Sequence, residues 1–235
     1  MRIPKIDGVI DRRILINFTA DPVDVAKIIP TPFRPKVYNG KAIVGICLIR
    51  LKNIKPILFP KWLGLSSENG AHRMAVEWDE NNKTVEGVYI PRRDTNSLFN
   101  TLVGGRLFPG KHYRAKFDVH ESDNSYEIYL LSSDQTEIHI AAKESKIFNS
   151  ESIFGTIENA SDFFENGSVG YSPNGNTFDG MKLQSKKWKV RPMEVQSVRS
   201  SFFEDSNIFS KGSVKFDNAL LMTEIEHEWI SEKQK

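Results

Sequence analysis

Three short stretches gather most of the side chains able to bind, protonate or attack a ligand. The densest is Gly104-Gly105-Arg106-Leu107-Phe108-Pro109-Gly110-Lys111-His112-Tyr113-Arg114, where Arg106, Lys111, His112 and Arg114 fall within nine residues and three glycines and a proline shape an irregular turn. Clustered positive charge of this kind holds a carboxylate. It also disfavours the ammonium form of a nearby lysine, which is the requirement for imine chemistry at Lys111. The second stretch, Ser66-Ser67-Glu68-Asn69-Gly70-Ala71-His72-Arg73, puts an acid, an amide, an imidazole and a guanidinium before an apolar strand. It reads either as a polar strand end or as a pocket rim, with Glu68 handling protons and His72 contacting ligand. The third, Tyr89-Ile90-Pro91-Arg92-Arg93-Asp94-Thr95, puts two arginines before an aspartate and supports a buried ion pair or an anion clamp with the N-terminus of a following helix, with Arg92 as the ligand-binding candidate.

Other chemistries find no support. There is no GxGxxG, GxxxxGK[ST], HExxH, paired CxxC or GxSxG pattern, and the five histidines lack metal-ligand spacing, so no metal site is expected. The 32 basic and 30 acidic residues nearly cancel, which argues against nucleic acid and anionic membranes as partners. No apolar run approaches the ~20 residues of a membrane helix. The single cysteine, Cys47, lies in an apolar strand, and one cysteine allows no internal disulfide, consistent with the cytoplasm.

The elements that must position these groups are mostly strands. An apolar strand is expected over 14–18, followed by a helix that starts at Asp21-Pro22, and a buried strand over 42–51. The segment 54–65 reads as a loop. Residues 71–78 and 85–90 form a hairpin across a polar turn, and Thr95 or Asn96 caps a helix ended by Gly104-Gly105. Strands at 113–119, 125–131 and 137–143 make an antiparallel meander. A helix is expected between 153 and 167, and late strands around 188–190, 195–203 and 220–229. No linker or repeat divides the chain, so residues 1–235 read as a single α+β domain, a largely antiparallel sheet or barrel with short peripheral helices. The largest pocket is expected to draw on 66–73, 89–95 and 104–114.

Several of these blocks also carry a family resemblance. Val44-Gly45-Ile46-Cys47-Leu48, Trp62-Leu63-Gly64-Leu65, Ser67 through Arg73, Val88 through Thr95 and Gly104 through Gly110 resemble the YqjF-like family of uncharacterised bacterial proteins, distant relatives of acetoacetate decarboxylase. The resemblance implies an acetoacetate decarboxylase-like fold around an internal pocket. It also implies a lyase-like reaction on a small carboxylate or oxo-acid: Lys111 and Glu68 would be catalytic, Arg92, Arg106, Arg114, His72 and His112 would bind substrate, and no cofactor would be needed. The decarboxylases carry Gly-Phe-Pro-Lys-Lys, whose first lysine forms the imine. Aligned on Phe108-Pro109, that position is Gly110 here and Lys111 takes the second place. The alternative is therefore a non-catalytic protein that keeps the pocket for a small-molecule ligand and lacks the imine lysine.

Overall fold

The computed structural model describes residues 6–56, 60, 64–98, 109–185 and 187–235. Strand β1 (Ile6–Ala20) ends at Asp21, whose side chain accepts a hydrogen bond from the Val23 amide and caps α1 (Pro22–Ile28). Short strands β2 (Arg34–Pro35) and β3 (Val37–Tyr38) precede β4 (Lys41–Pro56), so the start of the expected 54–65 loop is strand. The hairpin of β5 (Leu65–Glu80) and β6 (Lys83–Thr95) turns at Asn81 and Asn82, both at positive φ, where asparagine is tolerated better than most residues. The meander follows as β7 (His112–Ser122), β8 (Ser125–Ser132) and β9 (Glu137–Glu144). Thr156 caps α2 (Ile157–Asn166), and β10 (Val169–Asn174) and β11 (Thr177–Ser185) form a hairpin. Strand β12 (Arg191–Ser200) stops at Ser200, which caps the single-turn α3 (Ser201–Glu204), and β13 (Lys215–Glu232) closes the sheet.

Among the described residues these strands form one sheet of thirteen, mostly antiparallel, in the order β11-β10-β6-β7-β8-β9-β12-β13-β1-β4-β5-β2, with β3 on β4. Two further pairings, β5 with β6 and β11 with β13, return the sheet on itself. It branches at two places. Val88 and Tyr89 of β6 pair in parallel with β10, whereas Arg93–Thr95 pair in parallel with β7. In β13, Ala219–Leu221 pair with β12 and His227–Glu232 with β11. The run β13-β1-β4-β5-β6 is consequently a wall shared by two closed rings.

A wall covered on both sides needs apolar residues at both parities, and β1 and β4 supply them. Ile14, Ile16, Val44, Ile46 and Leu48 pack with Met74, Trp78, Ile128, Ile140 and Phe203 on one side. Leu15, Ile43 and Cys47 pack with Phe154, Phe163, Phe164, Leu220 and Met222 on the other, where α2 serves as the cover. Among the described residues no helix is long and apolar enough to cross a membrane.

The β10–β11 hairpin was not expected from the sequence, and residues 188–190 are irregular where a strand was expected. The helix expected after Thr95 falls largely on residues 99–103, outside the described residues. Thr95 itself ends β6 and accepts a hydrogen bond from the Ser97 amide.

Candidate functional site

On the α2 side of the wall lies a cavity of about 380 Å³. Strands β1, β4, β5 and β6 give its floor through Arg13, Cys47, Ile49, Asn69, Ala71, Arg73, Ile90 and Arg93. Phe164 and Gly167 of the α2 region, Gly170, Met181 and Leu183 of the β10–β11 hairpin, Trp188 and Trp229 enclose it, and exposed Lys182 and Gln184 stand at the rim. The cavity thus combines an apolar and aromatic body with a few convergent polar groups, the usual make-up of a small-molecule site.

Strand register explains how three arginines meet there. Asn17, Gly45 and Arg73 lie opposite one another across β1, β4 and β5. The next row toward the cavity is Leu15, Cys47, Ala71 and Arg93, and the third is Arg13, Ile49, Asn69 and Thr95. Glycine at 45 matters: a Cβ there would stand 2.5 Å from the Ile16 carbonyl oxygen, and 3.3 Å from the Arg73 guanidinium. Without it, Arg73 reaches across β4 and donates to Asn17. Asn17 donates in turn to Asn218 at 2.7 Å, and Asn218 donates to the Asp217 carboxylate at 2.6 Å, which also accepts from Ser152 at 2.7 Å. Two amides therefore orient Arg73 against a carboxylate that it does not touch.

Arg13 donates through Nε to the Cys47 sulfur at 3.3 Å, with its guanidinium 5.7 Å from the centre of the Trp188 ring. Arg93 donates to the Pro109 carbonyl at 2.9 Å and to Ser172 at 3.4 Å. Arg73 lies 4.7 Å over the Phe164 ring. Among the described residues none of the three arginines has a salt-bridge partner, whereas Arg12, Arg34, Arg50 and Arg92 are each held by carboxylates. Arg13 Nη1 and Arg73 Nε are buried without a hydrogen-bond partner. Burial lowers Arg73 and Arg93 to about 10, which leaves both cationic at neutral pH. His112 joins the wall with Nδ1 3.1 Å from the Gly110 carbonyl; burial, then the charge of Arg93, lowers it to about 4, so it is neutral. The charged side chains on the lining are Arg13, Arg73, Arg93 and Lys182, together with the carboxylates of Glu165 and of Asp94, the latter paired with Arg92.

Among the described residues, the structure brings one of the sequence-predicted site residues, His112, onto the cavity wall. Glu68 points elsewhere: it accepts from Arg12 at 2.6 Å and from Arg50 at 2.5 Å, and Glu121 binds the same two arginines. This is an ion-pair network that ties β1, β4 and β5 to β7. His72 is fully buried on the opposite side, between Phe202, Phe203 and Ser200, and burial lowers it to about 3. Arg92 binds Asp94 and Asp134, so the ion-pair alternative describes it, while its neighbour Arg93 faces the cavity. Lys111 and Arg114 are exposed, and the Lys111 ammonium sits 4.6 Å from the Tyr113 ring centre. Arg106 lies outside the described residues. Among those described, no three His, Cys, Asp or Glu side chains are arranged to hold a metal ion.

The expected stretches thus supply the wall through alternate members: Asn69, Ala71 and Arg73, then Ile90 and Arg93, then His112. Arg13, Phe164, Trp188 and Trp229 come from segments with no local chemical signature. Gly110, at the position of the decarboxylases' imine lysine, has φ +92°, and a Cβ there would fall 2.6 Å from Ser172 Cβ. The backbone is closed against β10 at that point, leaving no room for a side chain without rearrangement.

This ring-closed sheet with a cavity under a helix is the acetoacetate decarboxylase-like fold. The Legionella pneumophila acetoacetate decarboxylase superposes with a TM-score of 0.63 at 12% identity, over 98% of this chain and 88% of that one. An acetoacetate decarboxylase-like enzyme from Sphingomonas wittichii RW1 gives 0.62 at 6% identity, over 100% and 93%. The enduracididine biosynthesis enzyme MppR, complexed with pyruvate, gives 0.57 at 6% identity, over 100% and 90%. A search of curated protein sequences finds no match. The chain belongs to the DUF2071 family of uncharacterized conserved proteins, whose profile matches residues 10–222.

Proposed function

We propose that this protein is a one-domain cytoplasmic binding protein that receives a small organic acid in the arginine-lined cavity and does so without imine chemistry. The observation that carries this reading is the set Arg13, Arg73 and Arg93: three cations on one apolar-walled cavity, with no salt-bridge partner among the described residues. A desolvated guanidinium is costly to fold around, and a ligand carboxylate supplies the missing charge and acceptors. Trp188, Trp229, Phe164 and Leu183 suit an apolar body attached to that carboxylate. MppR, which shares the fold, has been seen with pyruvate, a small oxo-acid.

The lyase alternative requires an amine on the wall. Lys111 is exposed, Gly110 stands at the imine position, and Lys182 at the rim is the one lysine on the cavity lining among the described residues. The deciding experiment is calorimetric titration with 2-oxo and simple carboxylic acids and their methyl esters, paired with borohydride trapping read by intact mass. Binding of acids but not esters, with no trapped adduct, is the expected result. A lysine adduct or released carbon dioxide would return the protein to the lyases, and equal binding of acids and esters would remove the arginines from ligand recognition.

A further inference from the structure

The thiol of Cys47 shares the cavity lining with the three arginines and touches one of them, Arg13. It occupies the second row of the floor, flanked by Ala71 on β5 with Arg93 next on β6, while Arg73 lies one row away and Arg13 donates to its sulfur at 3.3 Å. Arg73 and Arg93 line the same cavity as Cys47. Cys47 is 9% exposed, and the cavity is where its surface opens. A second observation, independent of the thiol, points to a ligand at this place: Arg73 is only 5% exposed, lines the same cavity and has no salt-bridge partner among the described residues. An anion drawn to these guanidinium groups has its neighbouring carbons next to Sγ. Proximity of that kind converts a bimolecular encounter into a nearly unimolecular reaction.

We propose that Cys47 is a covalent capture site for small electrophilic carboxylates, in particular α,β-unsaturated oxo-acids. The proposal rests on the organic-acid reading above and names the ligand class and the reacting atom. The carboxylate binds the arginines, and Sγ attacks the alkene carbon β to the activating carbonyl. A carbon–sulfur bond forms, the alkene π pair moves to the α carbon, and that carbon takes up the proton lost by the thiol. No group leaves and nothing is oxidised or reduced overall, so the product is heavier by the whole reagent. Arginine is the residue suited to this seat because it stays charged when buried and binds a carboxylate with two parallel donors.

The test uses the full chain and two alkylating probes of similar size, iodoacetate and iodoacetamide, which both transfer carbon to sulfur with loss of iodide. The rate ratio of iodoacetate to iodoacetamide at Cys47, divided by the same ratio for free cysteine, is expected to exceed tenfold. It should fall toward one in Arg93→Gln, which changes the anion seat without touching the sulfur. In the unmodified protein, a saturating non-electrophilic acid such as 2-oxobutanoate should slow iodoacetate labelling at least tenfold, so the result does not depend on a variant folding. With 4-oxo-2-pentenoate, intact mass should rise by the whole reagent, and this adduct should be absent in Cys47→Ser and weak with the methyl ester. A normalised ratio near or below one, or no adduct at Cys47, overturns the capture site. If simple acids still bind by calorimetry in that case, only this proposal fails; if they do not, the organic-acid reading fails with it.

Discussion

Replacing Arg73 with methionine separates a ligand-binding role from a structural one, because the two predict different changes in stability. Burial lowers Arg73 from its ordinary value to about 10. At about 1.4 kcal/mol per unit, the charged side chain opposes folding by about 3 kcal/mol. Methionine is unbranched and fills the same track over Phe164 without the charge. The substitution gives up the hydrogen bond to the buried Asn17, worth about 1.5–3 kcal/mol because the donor is charged, and the contact with the Phe164 ring, worth about 1 kcal/mol more. The expected result is a protein within about 1 kcal/mol of the parent, measured by urea unfolding at pH 7. Affinity for a small carboxylate should fall at the same time, since a hydrogen bond between charged partners contributes about 1.5–3 kcal/mol, or roughly 10- to 150-fold. A loss of more than about 2 kcal/mol of stability, or an unchanged affinity by calorimetry, would refute the reasoning and make Arg73 a structural group held by Asn17, Asn218 and Asp217.

Further outcomes follow from other parts of the molecule. His72, His112 and His227 are lowered to about 3, about 4 and about 4, chiefly by burial, so between those values and 6.5 the unfolded chain binds protons that the folded one refuses. Their contribution is complete above pH 6.5 and is lost as pH falls, at up to about 1.4 kcal/mol per pH unit for each histidine; urea unfolding between pH 7 and 5 should show that slope, and His72→Phe should reduce it by about a third. Glu68→Gln should cost about 2–4 kcal/mol, because Arg12 is 2% exposed and keeps only Glu121, while carboxylate affinity stays within threefold. A large loss of affinity with intact folding would instead mark Glu68 as a ligand group. Gly110→Ala should destabilise by about 2 kcal/mol through its positive φ and the approach to Ser172; adding Ser172→Gly should recover part of this, and no recovery would mean that the contact is not the cause.

The elements most legible in the sequence were those whose signals are local. Asp21-Pro22 marked α1, and the polar turn at 79–83 marked the β5–β6 hairpin. The β10–β11 hairpin carries a readable Asn174-Gly175 turn, but Gly170, Pro173 and Gly180 interrupt its strand pattern, so the pair is stabilised by its placement between β6 and β13 more than by its own residues. The candidate site was legible as stretches and not as side chains. Glu68 stood among polar groups in the sequence, yet the partners that fix its role lie 56 and 18 residues away. Arg92 and Arg93 are chemically identical in a sequence, and only Asp94 and Asp134 on one side, with Pro109 and Ser172 on the other, tell them apart. Arg13, Trp188 and Trp229 reach the cavity solely because β1, β13 and the segment after β11 converge on it.

The shared wall also has an evolutionary consequence. On β4, Cys47, Ile49 and Leu51 line the cavity, and Val44, Ile46 and Leu48 face the aromatic core. On β5, Asn69, Ala71 and Arg73 alternate in the same way with His72 and Met74. A point substitution in either strand therefore acts mainly on one compartment: it changes what the cavity accepts or how tightly the core packs, and seldom both. Ligand preference can drift residue by residue while the opposite face preserves the fold, and a scaffold arranged in this way can serve relatives whose sequences share little else.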